Sequence, residues 1–253
     1  MKYLFLGVIQ GLTEFLPVSS SGHLVIFQAL LNIPENIAFD TIVHLATALA
    51  LIIYFWKDLL SLLLPENRKL LGLLAVSTAI TAVLGFGFKD FFESLFSSVR
   101  AVGFFLTLTG VVILLGEWRA KGDKGVEKMT LWDAVLIGLA QAAAIAPGLS
   151  RSGTTISAGL ARNLDRRLAA RFSFLLAIPA ILGAGLLQTR AIIKAGEIGI
   201  GFGLLLAGFL GALISGWIAI NFFMNLIQKI RLRVFAYYCF VIGASVILIS
   251  FLR

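Results

Sequence analysis

An all-α, polytopic membrane fold is the architecture this sequence predicts, and three observations predict it. Of 253 residues, 59% are hydrophobic and only 13% charged, with a mean hydropathy of +0.99. Soluble domains run nearer half apolar and a quarter charged, and a soluble chain of this length could not enclose so much apolar surface. Six apolar stretches approach the roughly 20 residues needed to cross a bilayer. Finally, two further apolar regions are each interrupted by a short polar break, and these look like copies of one another.

The stretches that qualify as spans are about 38–56, 70–88, 101–117, 172–189, 201–222 and 234–252. The interrupted regions are 3–31, broken by Glu14, Pro17, Ser19, Ser20, Ser21, Gly22 and His23, and 131–161, broken by Pro147, Gly148, Ser150, Arg151, Ser152 and Gly153. Each reads as two half-helices joined by a polar turn. A fixed offset of 131 residues pairs Gln10 with Gln141, Ser19 with Ser150, Ser21 with Ser152 and Gly22 with Gly153 without a gap. Three spans follow each copy. The chain is therefore expected to be a single membrane domain, 1–253, made of repeat 1 (about 1–117) and repeat 2 (about 131–253). Paired interruptions of this kind point to a site near the midplane. Because three is odd, the second copy starts on the opposite face from the first, so the repeats are inverted and the two turns meet tip to tip.

Charge predicts the orientation. With both interrupted pairs re-entrant, 14 basic residues fall on one side and 6 on the other (Lys2, Lys89, Arg100, Arg190, Lys194 and Arg253), Arg151 being set aside as a site residue. The richer side is expected to be cytoplasmic, which puts both termini outside, in the cell (inner or plasma) membrane. The net charge of +8 is accounted for by this placement and by anionic headgroups, so membrane lipids rather than nucleic acid are the expected partners. The run Arg162–Arg171 reads as a boundary anchor. Cys239, the sole cysteine, excludes an internal disulfide and reads as a small core residue. The apolar start, Tyr3–Ile9, runs straight into Gln10 and Glu14 without a small-residue cleavage pattern, so no processing is expected.

The chemistry concentrates at the breaks. Gln10 and Glu14 share one helical face, and a carboxylate at membrane depth normally faces a cavity or a partner. Pro17 ends that half-helix. Ser19, Ser20, Ser21 and Gly22 then suit a turn and N-cap whose free N–H groups make an anion site, with His23 in the next turn. In the second break, Arg151 brings a planar, permanently charged fork suited to phosphate oxygens. Glu14 and Arg151 also suit a plain structural ion pair, serine runs in membrane helices often bond backbone carbonyls, and His44 reads as a structural partner of Asp40.

QGLTEFLPVSSSGH (10–23) closely resembles the [E/Q]xxxE–PVSSxGH signature of bacterial undecaprenyl-diphosphatases, the bacitracin-resistance family, and PGLSRSGTTI (147–156) resembles that family's PGxSRSG signature. The resemblance covers essentially the whole chain. It implies six spans and two re-entrant pairs, and hydrolysis of undecaprenyl diphosphate, a polyprenyl diphosphate lipid, to the monophosphate carrier used in cell-wall synthesis. It also implies Ser20 as nucleophile, with Glu14, His23 and Arg151 essential; His23 is expected to take the Ser20 proton, with a direct attack by water, His23 again acting as base, as the rival route. Ser19, Ser21, Gly22, Ser150, Ser152, Gly153 and Thr155 are the expected substrate contacts, on a site open to the outer side. The [E/Q]xxxE pair implies a divalent cation, Mg²⁺ or Ca²⁺, at Glu14 and Gln10, although Gln10 offers one carboxylate fewer than the alternative residue. Type 2 phosphatidic acid phosphatases also carry SGH and SR motifs, but the positions of their second histidine and aspartate hold Ser157 and Ala161 here. A transporter of polyprenyl phosphates on the same inverted-repeat scaffold is the alternative in a different class; the Ser20–His23 spacing favours chemistry. Oligomeric state stays open, a homodimer included.

Overall fold

The computed structural model describes residues 1–96, 99–196 and 199–252, so Arg253, used in the charge count above, lies outside them. Among the described residues the regular structure is helical. Six helices are long and apolar enough to cross a membrane: α3 (Ile37–Tyr54), α5 (Arg68–Gly87), α7 (Val99–Arg119), α10 (Arg166–Ala195), α11 (Phe202–Leu226) and α12 (Arg233–Leu252). Two short helices, α4 (Trp56–Ser61) and α6 (Lys89–Phe96), join spans. All six expected spans are present, with ends shifted by up to six residues. The largest shift is in α10, which begins at Arg166 because Asp165 caps it by accepting from the Leu168 N–H at 3.0 Å.

The interrupted regions form two helical hairpins. The first is α1 (Lys2–Phe15) and α2 (Ser20–Leu30); the second is α8 (Leu131–Ala143) and α9 (Arg151–Ala161). At about 1.5 Å per residue these helices reach only about 16–21 Å, well short of the roughly 30 Å hydrocarbon layer. Each hairpin returns to where it began. Lys2 Nζ donates to the Leu31 carbonyl at 2.9 Å, tying the start of α1 to the end of α2. Arg162 Nε donates to Asp133 Oδ1 at 2.8 Å, tying the end of α9 to the start of α8. The breaks have clear local causes. Leu16, preceding Pro17, is pushed to φ −74°, ψ 145°, which ends α1. Ser19 and Ser150 then cap α2 and α9 by accepting from Gly22 N at 3.3 Å and Gly153 N at 3.1 Å.

Small residues let these hairpins sit close against the spans. The main partner of α1 is α11, while α8 packs on α5 and α7 packs along α12. A Cβ on Gly11 would overlap the Ala212 carbonyl and the Ser215 hydroxyl, so α1 holds its place on α11 only with glycine there. Aliphatic and aromatic side chains fill the interior around Phe15, Phe172, Phe174 and Phe223. Meanwhile Val83, Leu186, Trp217 and Val241 are exposed on the outside of the bundle, as lipid-facing side chains must be. Cys239 is fully buried, its thiol 3.5 Å from the Pro17 carbonyl.

The arginine run 162–171 is more than a headgroup anchor, because three of its members pair with acids. Arg162 bonds Asp133, Arg166 bonds Glu117, and Arg171 Nε lies 2.6 Å from Asp58. Asp133 also accepts from Lys124 and from the Thr130 N–H at 2.7 Å. Burial would raise the Asp133 pKa, but the Lys124, Thr130 and Arg162 bonds outweigh it and hold the carboxyl at about 2.

Candidate active site

The two hairpin tips touch. Ser152 Oγ donates to the Leu16 carbonyl at 2.9 Å, and the Gly148 N–H points to Ser21 Oγ at 3.5 Å. Gly148 makes this approach possible: its φ of +91° suits glycine, and a Cβ would overlap the Val102 carbonyl. Thr109 in α7 braces the same tip, its Oγ1 accepting from Ser150 N at 2.9 Å and donating to the Gly148 carbonyl at 3.2 Å.

Glu14 lies at the centre of the junction and is 7% exposed. Its Oε1 pairs with Arg151 Nη2 across the hairpins. Its Oε2 accepts from Ser20 Oγ and, at 3.0 Å, from Gln10 Nε2. Arg151 is fixed further by Nη1 donating to the Ala177 carbonyl of α10 at 3.3 Å. Pairing and these added hydrogen bonds offset part of the desolvation cost of the two buried charges. The first-turn N–H groups of α2 (Ser20, Ser21) and α9 (Arg151, Ser152) have no acceptor within their own helices, so two positive helix ends flank the same spot.

The other expected residues divide into two groups. Ser19, Ser21 and Gly22 line the first tip, Ser19 and Ser21 with their hydroxyls 3.3 Å apart; Ser19 takes a left-handed φ of 66°, a strained position for a non-glycine residue. Ser150, Ser152 and Gly153 shape the second tip through the bonds above, with the two hydroxyls again 3.3 Å apart. Thr155 lies one helical turn beyond Arg151 and secures α9 to α10, bonding the Arg151 carbonyl at 2.7 Å and Ser173 Oγ at 2.6 Å. His23 is not hydrogen-bonded to Ser20. Its Nδ1 lies 2.7 Å from the Ser19 carbonyl, which can only accept, so Nδ1 carries the proton. Nε2 then meets the Tyr238 hydroxyl of α12 at 2.7 Å, with the two rings parallel and 5.7 Å apart.

Two residues join the site without a signal in the motifs. Tyr238 is one. His44 is the other: its Nδ1 bonds the backbone carbonyl of Asp40 at 2.7 Å, while Nε2 faces Glu14 Oε2 at 3.9 Å. The Asp40 side chain is engaged elsewhere, accepting from Gln28 Nε2 at 2.9 Å. The four-residue spacing of Asp40 and His44 does produce a contact, but through the backbone, which leaves the imidazole free to face the site.

A divalent cation held wholly by protein has no home among the described residues, where no three His, Cys, Asp or Glu side chains gather. One observation does fit a cation that brings phosphate oxygens and waters as most of its ligands. Gln10 Oε1 is buried beside Glu14 with no hydrogen-bond partner. An orphaned amide oxygen next to a carboxylate is a suitable pair of hard ligands.

Comparison with known proteins identifies the family of the chain. The family model described as "Bacitracin resistance protein BacA" matches residues 3–245. A protein of Halothermothrix orenii named undecaprenyl-diphosphatase is 42% identical, the match covering 98% of this chain and 97% of that protein. One from Carboxydothermus hydrogenoformans with the same name is 43% identical over 98% of this chain and 96% of its own length. A third so named, from Methanosphaera stadtmanae, is 39% identical across 99% of this chain and 98% of its own. Matched along nearly its full length by the family and its relatives, the chain is a member of the bacitracin resistance protein BacA family.

Proposed function

We propose that the protein is an integral membrane phosphatase that hydrolyses undecaprenyl diphosphate to undecaprenyl phosphate and inorganic phosphate, recycling the carrier lipid for cell-wall synthesis. The observation that carries this reading is the Ser20–Glu14–Arg151 chain of bonds where the hairpin tips meet. A hydroxyl bonded to a carboxylate, beside a guanidinium and two helix N-termini, is equipped to attack phosphorus.

The diphosphate rests on the first-turn N–H groups of α2 and α9, and Arg151 turns its fork from Glu14 to the phosphate oxygens, neutralising charge that builds in the transition state. Ser20 Oγ attacks the terminal phosphorus while its proton passes to Glu14 Oε2. The bond to the bridging oxygen breaks and the lipid monophosphate leaves. Water then attacks the phosphoserine, releasing phosphate and restoring the Ser20 hydroxyl. The Ser20–Glu14 bond supports Glu14 as proton acceptor in place of His23, whose ring nitrogens are engaged by Ser19 and Tyr238. His23 with Tyr238 closes the α12 side of the site and fixes the shape of the first tip. Glu14 and Gln10 Oε1 would hold Mg²⁺ or Ca²⁺, which when bound supplies further neutralisation of the phosphate charge.

The count of basic residues along the sequence, 14 against 6, supports an orientation with the richer face in the cytoplasm, the termini outside and the site open to the outer leaflet. The matched packing of α1 on α11 and α8 on α5 supports an inverted repeat, each hairpin resting on the second span of the opposite half.

Phosphate release from undecaprenyl diphosphate by the purified protein in detergent tests the function. With substrate labelled in the terminal phosphate, acid quenching should trap label on Ser20. Ser20→Ala should lower turnover roughly 10³–10⁶-fold. Normal turnover in that variant sinks the covalent route, and no phosphate release by the wild type sinks the function.

A further inference from the structure

A polar cavity lies away from the hairpin tips, where α7 and α11 end and α12 begins. Its volume is about 460 Å³, and its walls carry Arg166, Lys229, Arg231 and Arg233 against the single carboxylate of Glu117, with Trp118 at the edge. The acid is already engaged. Glu117 Oε1 pairs with Arg166 and its Oε2 accepts from the Leu232 N–H at 3.1 Å. Arg166 Nη1 also donates to the Ile230 carbonyl at 3.3 Å. These bonds fasten the α11–α12 turn, whose residues Ile227 and Leu232 are fully buried. The fastened turn then holds Lys229, Arg231 and Arg233 outward. Among the described residues no carboxylate lies within ion-pair distance of those three.

Three uncompensated cations around one cavity form a site for an anion with several oxygens. The surface beside it indicates which kind. Trp118, Leu115 and Val111 recur at three- and four-residue spacing on one exposed face of α7. Tyr237 and Val241 continue from Arg233 at four-residue steps on an exposed face of α12, the helix packed against α7. A charged cavity at the ends of three spans, continued by two exposed apolar tracks, matches a molecule with a phosphate head and long hydrocarbon tails. Trp118 at the boundary between the two suits the interfacial position tryptophan favours.

We infer that this cavity is a binding site for an anionic phospholipid, with the head phosphate held by Lys229, Arg231 and Arg233 and the acyl chains lying along α7 and α12. The site is separate from the Glu14–Arg151 junction and does not depend on the catalytic reading. It acts as a clasp: a bound lipid bridges the end of α7 to the start of α12, the helix that carries Tyr238 to His23.

The test uses the full chain in detergent, delipidated and then titrated with phosphatidylglycerol or with phosphatidylcholine, bound lipid being counted by native mass spectrometry. The comparison is with a triple variant, Lys229→Ala/Arg231→Ala/Arg233→Ala. All three side chains are exposed, so the fold should survive, and an unchanged helical circular dichroism spectrum verifies it. Each Lys or Arg near an anionic headgroup contributes about fivefold in affinity, so the triple variant should bind phosphatidylglycerol on the order of a hundredfold more weakly. Phosphatidylcholine should bind the wild type no better than it binds the variant, and millimolar inorganic phosphate should not displace phosphatidylglycerol. Equal phosphatidylglycerol binding by wild type and variant overturns the assignment. So does complete displacement by inorganic phosphate, which would mark a site for a soluble anion.

Discussion

Replacing Arg151 with leucine leaves the Glu14 carboxylate in the middle of the fold without its countercharge. Glu14 is 7% exposed, and it retains the donors Ser20 and Gln10, with His44 Nε2 3.9 Å from its Oε2. Removing one member of a buried pair costs about 3–5 kcal/mol, and the two surviving donors place this case near about 3 kcal/mol. Adding Glu14→Gln removes the stranded charge, so the double variant should return to within about 1 kcal/mol of the wild type. Activity should behave differently. An arginine that neutralises charge in a phosphoryl-transfer transition state is worth roughly 10³–10⁵ in turnover, and neither leucine nor glutamine restores it. Thermal unfolding in detergent and phosphate release from undecaprenyl diphosphate, measured on both single variants and the double, separate the two roles. Stability that recovers while turnover stays lost is the expected result. A double variant with turnover within tenfold of the wild type would reduce the pair to a structural tie and refute the catalytic assignment.

Other residues carry independent predictions. Chelation should abolish turnover, and Gln10→Glu, which adds a carboxylate beside Glu14, should lower the Mg²⁺ concentration for half-maximal activity about tenfold; an unchanged Mg²⁺ requirement removes Gln10 from the cation site. Tyr238→Phe keeps the ring stacked on His23 but deletes the Nε2 partner, so kcat should fall about tenfold with KM little changed, and a wild-type kcat shows that this bond does not matter. The Asp133 carboxyl, at about 2 in the folded protein against an ordinary 3.8, contributes stability that is full above the ordinary value and lost as pH falls from there towards 2. The difference in thermal stability between wild type and Asp133→Asn should therefore be constant from neutral pH down to about pH 5 and should shrink below that; a difference independent of pH contradicts the assignment.

Much of this was legible in the sequence because the bilayer constrains it so strongly. Spans are set by length and hydropathy, and Pro17 and the capping serines Ser19 and Ser150 mark both breaks locally. The pairing of Glu14 with Arg151 was also readable, since two charges at membrane depth need each other. What could not be read depends on packing between distant segments. Tyr238 reaches His23 across 215 positions, and no periodicity in α12 distinguishes it from Tyr237, which faces outward. His44 was readable as a neighbour of Asp40, yet its direction depends on how α3 lies against α1. The early start of α10 was hidden because Arg166 and Arg171 look like a boundary until their partners Glu117 and Asp58 come together with them in space.

The Glu14–Arg151 pair balances its own charge at the junction, and on the proposed function this turns the site into a comparator. A ligand must outbid a carboxylate already seated on the guanidinium, so a weakly charged phosphate ester gains little by arriving while a diphosphate has charge to spare. On the proposed function, the monophosphate product would fall back below that threshold once the terminal phosphate is gone, and Arg151 would return to Glu14. Turnover is then self-clearing, and inhibition constants for the lipid monophosphate should lie well above those for non-hydrolysable lipid diphosphates.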